Sequence, residues 1–161
     1  MSFIRLSLTM SISSFFSSLG APLANSRWSW FSQRPSDGAV FLRVWQDLKF
    51  ISDDQTFILV AGSGVKDMQQ SGGRERIRHL ASIRAGAPCY LVMCMAKDVD
   101  AISRTIQGFN ESEVFASGEV LDTKEGFPFP PRTSQRAQAL TKLGGTWIRL
   151  GRRTPIADVV A

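Results

Sequence analysis

The chain is poor in the side chains that hold metals or do nucleophilic chemistry. It has one histidine, His79, and two cysteines, Cys89 and Cys94. A zinc site needs more His and Cys ligands than these, placed close together. Cys89 and Cys94 are five residues apart on a predicted strand, so they point to opposite faces and neither bridge each other nor share a metal. Two free thiols fit a reducing cytoplasm. No apolar run is long enough to span a membrane. Residues 1–10 read as a flexible leader. Arg5 is its one positive charge, and Ser7, Thr9, Ser11, Ser13 and Ser14 break the apolar run that a secretory signal requires. The Gly-Lys-Ser/Thr ending of a phosphate-binding loop is missing from Gly62–Gly73. No cofactor motif and no internal repeat is found, and no cofactor or metal is expected.

What the chain does have is tryptophan, in one place, and arginine. Lys and Arg outnumber Asp and Glu 19 to 14, a net charge of +5. A basic surplus of that size serves solubility or an acidic partner such as nucleic acid. Three of the four tryptophans, Trp28, Trp30 and Trp45, fall within Arg27–Asp47. That stretch reads as two short strands joined by a turn at Ser36-Asp37-Gly38, because Asp-Gly between apolar runs favours a hairpin. Alternation puts Phe41, Arg43 and Trp45 on one face of the second strand, and Leu42, Val44 and Gln46 on the other. A mixed aromatic–guanidinium face stacks flat rings and holds anions. Trp28, Trp30, Arg43 and Trp45 are therefore the candidate ligand-binding residues, weighed against their packing in a core.

Ile12, Phe15, Phe16 and Leu19 follow helical spacing, and Gly20 and Pro22 end that helix. Lys49–Gln55 reads as a polar loop and Thr56–Ala61 as a buried strand. Arg74–Ala85 is a second helix whose apolar stripe is Ile77, Leu80 and Ala81. Arg74, Arg76 and Arg78 crowd its first turns, where cations oppose the helix dipole, and they are the candidate phosphate contacts. Pro88–Ala96 is nearly continuous apolar sequence, expected as a central strand covered on both faces. Val99–Gln107 is expected as a short helix, and Glu113–Leu121 as a strand with a bulge at Gly118. Residues 122–145 form a Pro-rich loop, Thr146–Leu150 a last strand, and Thr154-Pro155 the start of a closing turn. Strands outnumber helices and do not alternate with them. The fold class is α+β, a single domain over residues 11–161. Its sheet is small, curled or barrel-like, mainly antiparallel, and flanked by a few helices.

RWSW at 27–30, VFLRVWQD at 40–47, RIRHLASIRAG at 76–86, CYLVMCMAKD at 89–98 and EVFASGE at 113–119 resemble an uncharacterised family of bacterial proteins, some connected with HNH endonucleases. The similarity spans most of residues 12–160. It departs after Trp-Ser-Trp, where Phe31-Ser32 stand in place of Gly-Ala. An HNH cluster cannot be built with one histidine. The element order more distantly resembles the PUA-like barrels, which include the EVE, YTH and ASCH domains. That resemblance implies nucleic-acid binding, with a modified base held in an aromatic pocket in EVE and YTH members. No diagnostic motif of those domains matches residue by residue.

Three functions follow. The first is a nucleic-acid-binding module, for DNA or RNA, that reads a modified or flipped base on the Trp/Arg face. The second is a protein-interaction or regulatory subunit using the Pro-rich loop. The third is a carboxylate-metal nuclease built on Asp47, Asp53 and Asp54. His79 and Glu75, one helical turn apart, read as a surface pair.

Overall fold

The structure is a computed structural model and describes residues 10–25, 29–62, 71–101, 104–124, 135–140 and 144–160. The sheet is built from β1 (Phe31–Gln33), β2 (Val40–Trp45), β3 (Lys49–Ser52), β4 (Gln55–Gly62), β5 (Cys89–Ala96), β6 (Ile106–Phe109), β7 (Glu113–Thr123) and β8 (Gly145–Pro155). Helices α1 (Ile12–Ser18), α2 (Ser71–Arg84) and α3 (Gln135–Leu140), and a 3-10 turn at Ile156–Asp158, complete it. The strand order is β1-β2-β5-β7-β8-β4-β3, with β6 also paired to β5. β2 and β5 run parallel, and the other pairings are antiparallel. The fold is α+β with a mostly antiparallel sheet. The path ends at β1 on one side and β3 on the other, so the sheet is open and not a closed barrel.

The parallel pair lies inside the sheet, between β1 and β7. β2 and β5 stay in register from Val40 opposite Cys89 to Trp45 opposite Cys94. Both are buried on both faces over most of their length, which is why each reads as a run of apolar residues. On one face Phe41 and Val92 pack against Phe15 and Phe16 of α1 and Leu19 just after it. On the other, Val40, Leu42, Leu91 and Met93 pack with Leu80 and Ile83 of α2 and with Ile58 and Ile148. A third cluster joins Leu48, Phe50, Phe57, Leu59 and Trp147.

Both longer helices stop as their sequences specify. Ser11 caps α1, its Oγ accepting the Ser14 N–H at 3.1 Å. Gly20 (φ +78°) and Gly86 (φ +105°) take the left-handed position after α1 and α2. The Ala21 and Ala87 N–H groups then reach back to the Phe16 and Ser82 carbonyls, the closure that position allows.

The hairpin turn is held by Arg34. Its guanidinium makes a two-point pair with Asp37 and donates to the carbonyls of Leu19 and Val159. It thereby joins the end of α1, the turn and the C-terminal residues. Hydrogen bonding from Arg34 holds the Asp37 carboxyl down to about 2.

Several expectations are corrected. Lys49–Gln55 is not a loop: it forms β3, a turn at Asp53 (φ 50°) and Asp54 (φ 63°), and the start of β4. Two aspartates take the left-handed turn positions there, a weaker signal than Asp-Gly. Val99–Gln107 is not a helix. Residues 98–101 form a turn, and Ile106–Phe109 pairs with β5 as β6. α2 begins at Ser71, three residues before the expected start. β8 runs to Pro155, well past Leu150. The expected 122–145 loop contains the last residues of β7, the short α3 and the start of β8. The bulge near Gly118 is present: the β7–β8 register shifts between Ser117 and Val120, and a Cβ on Gly118 would lie 2.7 Å from the Arg149 guanidinium. The leader at 1–9, Trp28, the 63–70 loop and the Pro-rich segment 125–134 lie outside the described residues. Among the described residues no helix is long and apolar enough to cross a membrane.

Leu91 is fully buried at the centre of the parallel pair. Leu91→Ala should cost about 2–5 kcal/mol, read from urea unfolding. A loss under about 1 kcal/mol would place the core elsewhere.

Candidate nucleic-acid interface

The site begins with a charge in an apolar strand. Arg43 stands in mid-β2 and is only 6% exposed. Burial pushes its guanidinium below the ordinary value, while the Cys94 thiol and the Glu75 carboxylate act in the opposite sense. Cys94 is itself pushed up to about 12 by burial and is therefore neutral. Glu75 acts on Arg43 through space only: no hydrogen bond or ion pair joins the two, and Arg43 Nε and Glu75 Oε1 are buried without a hydrogen-bond partner among the described residues.

Arg43 in turn organises its neighbours. Its backbone N–H donates to the Trp30 carbonyl at 2.8 Å, which extends the β1–β2 ladder by one residue. Its Nη2 donates to the Ser29 carbonyl. Its guanidinium lies 4.7 Å from the centre of the Trp30 ring. Ser29 is fully buried; its Oγ donates to Glu75 Oε2 at 3.1 Å and accepts the Asn25 N–H at 2.9 Å. These contacts tie the segment before β1 to both β2 and α2.

The two described tryptophans of the candidate set meet. The Trp30 and Trp45 ring centres are 5.4 Å apart at 65°, an edge-to-face pair. Both are half-buried. Arg76 stands 5.9 Å from the Trp30 ring centre, and Arg104 5.3 Å from that of Trp45. Each guanidinium–indole contact is worth about 0.5–2 kcal/mol, depending on how dry it is. Arg104 was not anticipated. Its side chain is 6% exposed and locked by a two-point pair to Asp47 (2.7 and 2.8 Å) and a bond to the Val99 carbonyl. Two spaced residues of opposite charge, 57 positions apart, leave no local pattern to read.

Helix α2 is turned differently from its apolar stripe. Glu75 and His79, each 5% exposed, face inward with Leu80 and Ile83, whereas Ile77 is 47% exposed and Ala81 is exposed. Glu75 and His79 are therefore not a surface pair. The imidazole stacks flat on Phe31, 5.6 Å between centres and 9° between planes. Burial, with Arg78 adding to it, pulls His79 down to about 4. The turn of the helix separates the three expected phosphate contacts. Arg74 and Arg78 lie on the exposed face beside Ile77, and Arg76 lies half-buried at Trp30.

Among the described residues the arrangement has no hydrogen-bonded nucleophile–base pair. Ser29, Glu75 and His79 are neighbours, but no hydrogen bond joins His79 to either of the others, and a triad needs the base bonded to the nucleophile. Asp47 is engaged by Arg104, while Asp53 and Asp54 sit in the β3–β4 turn. Among the described residues no three His, Cys, Asp or Glu side chains converge as metal ligands. No family model, curated protein or solved structure matches the chain.

His79 supplies a pH test. Its folded value, about 4, lies below the unfolded value of about 6.5. As pH falls from 6.5 to 4 the unfolded chain binds the proton first. Stability should drop by roughly 2–3 kcal/mol across that window and level off below it. His79→Gln should flatten the profile between those limits. Asp37, held low, loses its contribution only as pH falls further, through about 2. An unchanged profile in His79→Gln would mean the imidazole is not buried neutral.

Proposed function

We propose that the protein is a nucleic-acid-binding module that engages an unpaired segment of DNA or RNA where α2 meets the Trp30–Trp45 pair. The observation that carries this reading is the juxtaposition itself. Half-buried Arg76 stands against Trp30, Trp30 meets Trp45, and Arg74 and Arg78 are exposed on the neighbouring face of the same helix. Backbone phosphates take the arginines, and a base takes the indole edge, the division of labour usual for single strands.

The geometry favours a platform over a cage. A cage for a modified base needs parallel aromatic walls, whereas Trp30 and Trp45 meet at 65° and each already carries a guanidinium. A base flipped from a duplex or one in a single strand satisfies such a platform equally.

The test uses a labelled single-stranded oligonucleotide panel, titrated at several salt concentrations. Arg78→Ala should weaken binding to every sequence by the same factor and reduce the salt slope by about one unit. Arg84→Ala, at the far end of α2 and paired with Asp122 at 3.0 Å, should leave the slope nearly unchanged. Equal effects of the two variants, or no binding by the parent at low salt, would remove this function.

A further inference from the structure

A cleft of about 420 Å³ opens on the face of the sheet that carries Leu91 and Met93. The nucleic-acid reading makes no use of it. Its floor is Met93 and Met95 of β5, Phe115 of β7 and Leu150 of β8. Phe115 and Leu150 pack against the core layer of Leu42, Leu91 and Ile148, so the cleft lies at the margin of that layer. Met95 is 44% exposed there, an uncommon placement for a large apolar side chain.

The rim is cationic. Lys49 and Arg153 line the cleft, and no aspartate or glutamate does. Arg153 stands 5.4 Å from the centre of the Phe115 ring. Its Nε faces Glu113 at 3.2 Å, and its side chain is 67% exposed, with no other ion pair among the described residues. Lys49 is exposed and has no ion pair among them.

We propose that this cleft binds a small aromatic anion: a flat apolar body seated on Met93, Met95, Phe115 and Leu150, with one carboxylate or phosphate between Lys49 and Arg153. Thioether sulfurs make favourable contacts with aromatic edges, and methionine adapts to irregular shapes. Volume and lining, apolar with a few convergent polar groups, match those of small-ligand sites. Arg153 is paired with Glu113 and Lys49 has no ion pair among the described residues, so the rim keeps a positive charge that an anion neutralises.

Methionine-methyl NMR tests this directly, because Met93 and Met95 report on the cleft and Met10 lies outside it. The probe is naphthoate, with its neutral amide as the control. Naphthoate should shift the Met93 and Met95 methyl signals saturably and leave Met10 in place, with the amide at least ~10-fold weaker. Lys49→Ala should weaken naphthoate about 5-fold, consistent with one exposed charge-assisted contact. Met95→Glu, at an exposed position that tolerates the change, should abolish the shifts while circular dichroism shows a folded chain. No saturable shift up to ~5 mM, equal binding of the amide, or parallel movement of Met10 would overturn the proposal.

Discussion

A guanidinium buried in the middle of a central strand is the constraint around which the rest of this structure is arranged. Leaving a charge unpaired in such a place costs several kcal/mol, so a chain that keeps one there must bring partners to it. Ser29 offers its carbonyl, Trp30 its ring, and Glu75 its charge. Ser29 and Trp30 come from the segment just before β1, and Glu75 comes from α2. Meeting them fixes the approach to β1, the rotation of α2 and the position of Trp30 against Trp45. The inward turn of Glu75 carries His79 in with it and puts Ile77 outside, against the apolar periodicity of the helix. The surface proposed for nucleic acid is thus the outer side of a group of contacts whose inner side is structural.

The arginines divide accordingly. Arg34, Arg43 and Arg104 are buried or nearly so and act as ties between distant segments. Planar, many-donor guanidinium groups suit that work better than lysine. Arg74 and Arg78 are exposed, as are Lys49 and Arg153 at the cleft on the sheet. Net charge treats all of these alike, although only the exposed group bears on partners.

Much of the sheet was legible from pattern. Pro88–Ala96 announced a doubly covered strand because neither face could be polar, and it is central to the sheet. Asp37-Gly38 announced the turn between β1 and β2, and Gly20 and Gly86 announced two helix ends. Polar strands were not legible: β3 hides one buried residue, Phe50, among exposed ones, and β6 depends on pairing with β5. The candidate site was legible only in composition. Trp30, Trp45 and Arg43 do come together. The depth of Arg43, the inward Glu75 and the Arg104–Asp47 lock arise from contacts 30 to 60 residues apart, which no local period encodes.

A double-mutant cycle on Arg43→Met and Glu75→Gln tests the central role of the buried charge most directly. Each single change leaves a buried polar group without its counterpart, so each should destabilise, and the double variant should be less destabilised than the sum by more than about 1 kcal/mol. Additive losses would contradict the account, because they would mean that Glu75 is not what holds the Arg43 charge in the core.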